Sequence, residues 1–151
     1  MRAIFPCLAL LAATISTDAG ARDRGDTRFY TRPGSAMPFS PAVRAGDLLW
    51  LSGQIGVAAD GTVPPSIADQ ARLAMDHLKD SLTLAGASFD DVVKCTVMLA
   101  DMSRWSDFNT VYVGYFRPGR LPARSAFGVT GLAFGAGVEV DCVARSPGQP
   151  G

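Results

Sequence analysis

The chain has 151 residues, with 14 Lys or Arg against 14 Asp or Glu, so its formal charge is zero; 19% of residues are charged and 48% apolar. That composition excludes a disordered polymer and suits one packed domain. It also argues against a general nucleic-acid binder, which carries a basic surplus, and one histidine (His77) with three cysteines (Cys7, Cys95, Cys142) leaves little for a zinc site.

The chain opens with Met1-Arg2, an uncharged apolar run from Ile4 to Ile15, and small residues at Ala19-Gly20-Ala21. This order predicts a secretory signal peptide cut after Ala21 and a periplasmic or secreted mature protein. Cleavage removes Cys7 together with one charge of each sign (Arg2 and Asp18). No stretch approaches the ~20 apolar residues of a spanning helix, so no membrane association is expected after cleavage. Residues 22–38 are rich in Arg, Asp, Gly and Pro and read as a flexible segment, with a short strand near Arg28-Phe29-Tyr30; the folded domain is expected over 39–146, with a tail at 147–151.

Ala42-Val43-Arg44 and Leu48 to Ser52 flank a Gly46-Asp47 turn and predict a β-hairpin. Ser66 opens a cap with an acid three residues on, and Ile67, Ala71, Met75, Leu78 and Leu82 mark one face of a helix that Gly86 should stop. His77 lies beside that stripe and reads as a half-exposed packing residue. Val92 to Leu99 predicts a strand with Val93, Cys95, Val97 and Leu99 on one face and Val92, Lys94, Thr96 and Met98 on the other. Ser103 is the expected cap of a second helix, whose apolar side carries Trp105, Phe108, Tyr112, Tyr115 and Phe116. Ser125 to Thr130 and Gly137 to Arg145 predict two more strands. The order is β-β-α-β-α-β-β, an α+β layer pair with both helices on one sheet face. The other face is partly apolar (Leu48, Trp50, Val143), which favours oligomerisation. Sequence cannot say whether Cys95 and Cys142 lie close enough to bond; since both sit in apolar runs, two separate buried thiols are the expectation.

There is no G-x-S-x-G elbow, no G-x-x-x-x-G-K-[ST] loop and no C-x-x-C. A small polar set remains. Glu139 is the only glutamate and sits mid-strand between two valines, where an unpaired carboxylate is costly. Arg124 stands at the entrance to a strand, and Asn109 lies on the aromatic helix. Each has an ordinary reading, as an edge residue or ion pair, a solvated loop arginine, and a surface amide.

Residues 39–144 resemble the Rid family of reactive-intermediate (enamine/imine) deaminases. The likeness runs through six ordered motifs: Pro38-Phe39-Ser40-Pro41-Ala42-Val43 for the family's P-Y-S-x-A-V; Ser52-Gly53-Gln54-Ile55 for S-G-Q-I; Asp91 to Met102 for D-V-V-K-x-T-V-x-L-x-D-M; Trp105, Phe108, Asn109, Tyr112, Tyr115 and Phe116 for F-x-x-V-N-x-x-Y-x-x-Y-F; Pro122-Ala123-Arg124-Ser125 for P-A-R-S; and Glu139 to Ala144 for E-I-E-x-I-A. Gln70, Arg72, Leu78 and Lys79 match the helix pattern x-x-Q-x-R-x-x-x-x-N-L-K. The resemblance implies a homotrimer of chorismate-mutase-like α+β subunits with ligand clefts between neighbouring subunits. It implies that Arg124 grips a substrate carboxylate, which its planar fork suits, and that Glu139 positions or activates water. Ser52, Gly53 and Asn109 match pocket residues. The implied reaction is hydrolysis of a 2-enamine or 2-imine acid such as 2-aminoacrylate to a 2-keto acid and ammonia, with no cofactor and no metal.

Two departures bear on specificity: Phe39 stands where the family often has Tyr and Ala126 where it commonly has Cys, which together suggest a reshaped pocket and a shifted substrate range. The loop from Gly131 to Gly137 is also richer in Gly and Phe than the charged family version. Phe39, Ala126 and the export signal favour an alternative, a non-catalytic trimeric binder of small carboxylate metabolites; Arg124 and Glu139 favour the enzyme. With two lysines (Lys79, Lys94) and zero net charge, no nucleic-acid partner is expected.

Overall fold

The structure, a computed structural model, describes residues 27–147. The expected signal segment and its cleavage site lie outside the described residues.

Among the described residues, nine strands and α-helices follow one another, joined in places by short 3₁₀ turns: β1 (Arg28–Tyr30), β2 (Ala42–Ala45), β3 (Leu48–Leu51), β4 (Gln54–Ile55), α1 (Ile67–Leu84), β5 (Val92–Leu99), α2 (Trp105–Tyr112), β6 (Ala123–Gly128) and β7 (Val138–Arg145). The strands form one mixed sheet in the order β1-β2-β3-β7-β5-β6, with β4 paired to β7 beyond the end of β3. Every pairing is antiparallel except β5–β6, where the crossover through α2 returns the chain in the same direction. The short strand expected near Arg28–Tyr30 is present and pairs with β2, so the sheet begins ahead of Phe39.

Local chemistry sets the ends of these elements. The Ser66 hydroxyl accepts from the Asp69 N–H at the start of α1, and Gly86 takes a left-handed φ of 75° just after it. The second helix starts differently from expectation. Asp101, not Ser103, supplies the cap, its carboxylate accepting from the Ser103 N–H at 2.9 Å; a single 3₁₀ turn precedes α2, and α2 itself has no side-chain cap. An aspartate one turn earlier competes better for the free N–H groups because it carries a full charge. In β5 the expected faces are corrected at one end. A register shift between Val92 and Lys94 buries Val92 and turns Val93 outward, as a β-bulge does.

The core lies between the sheet and the two helices. Leu49, Leu51, Cys95, Val97, Leu99, Val138, Val140, Cys142 and Ala144 point inward against Ala71, Met75, Leu78 and Leu82 of α1 and Phe108 and Tyr112 of α2. The aromatic stripe is largely core, as its spacing predicts: Phe108, Tyr112 and Phe116 are buried in a chain of tilted ring contacts. On the other side of the sheet Trp50 is 53% exposed, and Leu48 and Phe127 are also open to solvent.

Cys95 and Cys142 are not separate thiols. They stand opposite each other in the β5–β7 register, with Cα atoms 4.1 Å apart, and form a disulfide. Direct cross-strand pairing brings two Cβ atoms within bonding reach. Sequence alone did not supply that register.

Candidate active site

Glu139 sits on β7 opposite Ile55 of β4 and Met98 of β5, on the sheet face away from the helices. Beside it is a cavity of about 390 Å³ at the free edge of β4. Its walls include Phe39, Gly53, Ile55, Val57, His77 and Phe134. A second hollow of about 200 Å³ shares Phe39, Gln54 and His77 with it. Burial raises the Glu139 carboxyl above the ordinary glutamate range, and the Asp141 carboxylate on the same face pushes the same way. A carboxyl tuned upward is suited to proton transfer near neutral pH.

The S-G-Q-I-G run divides its labour. A Cβ on Gly53 would come within 2.0 Å of Glu139 Oε1, so this glycine exists to let the carboxylate lie against the backbone. A Cβ on Gly56 would fall 2.2 Å from the Gln70 carbonyl oxygen, so that glycine seats β4 on the backbone of α1. Ser52 does not line the cavity. Its hydroxyl donates to the Ser40 carbonyl at 2.7 Å and its N–H to the Pro41 carbonyl at 3.0 Å, which fixes the segment carrying Phe39. Gln70, buried within α1, donates to the Pro64 carbonyl and accepts from the Gly137 N–H, both at 2.7 Å, and so anchors the start of β7 just ahead of Glu139.

Of the cavity residues that escaped the sequence reading, two stand out. His77 was expected to be packing; it is half-buried, but its ring faces the Glu139 cavity, with Nδ1 3.3 Å from the Ile55 carbonyl. A carbonyl only accepts, so Nδ1 is the donor in this contact. The available signal was its place at the Asn of the helix pattern. Phe134 is the other. It adopts φ 58°, ψ 16°, a left-handed conformation that costs a bulky residue about 1–3 kcal/mol.

Arg124 lies elsewhere. It pairs with Cys95 across β5–β6 and therefore shares the helix face, not the face of Glu139. Its guanidinium stacks on the rings of Trp105 and Tyr112, with centroids 4.4 and 4.7 Å from Cζ. Burial pushes the Tyr112 hydroxyl up to about 12, against the opposing pull of Arg124. Asn109 stands between those two aromatics on α2, at i+4 from one and i−3 from the other. The Asn109 Oδ1 and the Tyr112 hydroxyl are buried without a hydrogen-bond partner, the kind of vacancy a ligand fills. Ala126, two residues beyond Arg124 on the same face, packs against the core.

One chain thus carries two separate clusters of candidate site residues. With strands ~4.8 Å apart and residues ~3.3 Å apart, the Arg124 and Glu139 backbones are about 14 Å distant, and their side chains leave opposite faces. Phe39, Gly53 and Glu139 come together in one cavity; Arg124 lies on Trp105 and Tyr112, the two rings that flank Asn109 on α2, with Ala126 two residues further along β6; the Glu139 cavity includes none of this second set.

The family model described as Endoribonuclease L-PSP matches residues 29–146. The chain belongs to the Rid/YjgF family. Among Rid relatives, the mouse protein named 2-iminobutanoate/2-iminopropanoate deaminase is 38% identical over 114 residues, covering 74% of this chain and 84% of its own. The Arabidopsis thaliana protein named Reactive Intermediate Deaminase A, chloroplastic, is 32% identical over 134 residues, covering 87% of this chain and 71% of its own. The fold matches the crystal structure of yeast Mmf1 with a TM-score of 0.74 at 31% identity, over 81% of this chain and all of that one. It matches the YjgF gene product of E. coli with a TM-score of 0.72 at 29% identity, over 80% and 99%. These Rid structures bear out the α+β sheet-and-two-helix architecture.

Proposed function

We propose that the mature protein is an exported homotrimer that hydrolyses 2-enamine and 2-imine acids to 2-keto acids and ammonia. The site lies at each subunit boundary. Arg124 of one subunit, braced by Trp105 and Tyr112, takes the substrate carboxylate, in charge-assisted bonds each worth about 1.5–3 kcal/mol. Glu139 of the next subunit takes a proton from water as the water oxygen bonds to the imine carbon. Glu139 passes that proton to the imine nitrogen, giving a carbinolamine; the remaining hydroxyl proton then moves to the nitrogen as the C–N bond breaks, so ammonia leaves and the carbon keeps the oxygen as a carbonyl. An enamine enters by protonation at its methylene carbon. The imine is already electrophilic, so the step needs no cofactor.

The observation that carries this reading is the split itself. Each half-site has its own vacancy, a raised carboxyl on one side and a stacked cation beside unpartnered polar atoms on the other, and a single chain holds them apart. An apolar open face with Trp50 uncovered supplies the surface on which subunits would meet. The names of the mouse and Arabidopsis relatives support the chemistry. The buried Cys95–Cys142 disulfide supports export, because such bonds persist in oxidising compartments.

The test is keto-acid and ammonia release from 2-aminoacrylate generated in situ. The protein should exceed the buffer rate, Arg124→Ala should abolish that excess, and the rate should fall as pH drops through the raised Glu139 range. No excess over buffer, while the intact protein still binds pyruvate, selects the carboxylate binder instead.

A further inference from the structure

Resting on the hydrolytic reading above, we propose that Phe134 is a specificity-determining residue, and that with Phe39 it selects 2-imine and 2-enamine acids bearing aromatic or large aliphatic side chains. Phe134 is a misfit in two independent ways. It is 79% exposed, the most exposed large apolar residue among those described, and its backbone is left-handed although the residue is neither glycine nor asparagine. Gly135 follows with φ 71°, and the turn is held by the Ala136 N–H donating to the Ala133 carbonyl at 3.1 Å. Strain that persists at an exposed aromatic marks a position kept for contact with something else. The ring has one evident destination: it lines the cavity that holds Glu139.

The remaining walls agree. Phe39, Ile55, Val57 and Ala133 are apolar, and apart from the backbone the polar side chains there are Gln54, His77 and Glu139. The hollow lies within the ~300–1,000 Å³ typical of sites for drug-sized ligands. A three-carbon imine acid would leave much of it as unfilled apolar wall. A benzyl or isobutyl side chain would cover that wall and displace water from it, which is favourable in proportion to the area covered. The carboxylate, the imine carbon and the attacking water are common to all these substrates, so the side chain is the part these two aromatics would read.

The experiment generates imines in situ from L-phenylalanine, L-leucine and L-alanine with an L-amino-acid oxidase and compares kcat/KM. The two larger imines are expected to be favoured by about 10-fold or more. Phe134→Asn removes the ring but tolerates the left-handed backbone; it should bring the ratio close to one, with the phenylalanine- and leucine-derived imines losing about 10-fold more than the alanine-derived imine. Phe134→Tyr should retain the preference. A wild type that favours the small imine, or equal losses on all three in Phe134→Asn, overturns the proposal. If no imine is hydrolysed, the hydrolytic reading fails, and binding decides the wall separately: phenylpyruvate should outbind pyruvate in the wild type and lose that advantage in Phe134→Asn, and equal affinities overturn it.

Discussion

At the scale of single residues, Gly53 is the most informative position. Its missing Cβ leaves room for one oxygen of Glu139. In Gly53→Ala the carboxylate is the end of a flexible side chain and can swing away, so the fold should barely change while the catalytic geometry is lost. A displacement of about 1 Å at such a group can cost on the order of 10²-fold in rate. Gly53→Ala should therefore lower kcat by roughly that factor with a thermal midpoint close to wild type; a midpoint that collapses along with the rate would assign Gly53 to packing. The S-G-Q-I motif was visible in the sequence and its glycine was placed at the pocket, but the reason was not. Only the register that sets Ile55 opposite Glu139 shows which atom Gly53 makes room for. Ser52 illustrates the converse, since the same motif marks it although its hydroxyl is engaged with Ser40 and not exposed in the cavity.

Between elements, the bond that matters is Cys95–Cys142. It ties β5 to β7, the strand carrying Glu139, and Cys95 is also the register partner of Arg124 on β6. The linked residues are 47 apart in sequence, so chain-entropy reasoning gives about 4 kcal/mol from constraint of the unfolded state, and measured cases run at about 2–4. The double variant Cys95→Ala, Cys142→Ala should lower the denaturant-derived stability by about 2–4 kcal/mol; an unchanged midpoint would show that the sheet alone holds these strands. Helix and strand periodicity placed α1, β5 and β7 closely, because each alternates apolar and polar residues at a clear period. It missed the bulge at Val92–Val93 and the Asp101 cap, since both depend on backbone geometry that leaves no periodic trace.

For the whole molecule, the decisive feature is that Arg124 and Glu139 stand apart within one chain. In the proposed trimer, identical subunits joined head to tail would set one subunit's Arg124 beside the next subunit's Glu139, as the separation of the two residues requires of any site that uses both. Arg124→Ala and Glu139→Gln should each be inactive alone. Unfolded together in equal amounts and reassembled at random, they should recover about one quarter of wild-type activity, because one boundary in four unites two intact halves. Zero recovery from a properly assembled mixture would mean that each site uses residues of one chain.

The linear order of residues was enough to establish the layered α+β architecture and the family likeness, and to single out Arg124 and Glu139 as candidates, because hydrophobic period and motif spacing are properties of the chain. Which face each side chain leaves, whether two cysteines meet, why Gly53 has no Cβ and where the Phe134 ring points all depend on strand register and turn handedness. Those are fixed by contacts between segments far apart in sequence, and they exist only once the sheet has assembled.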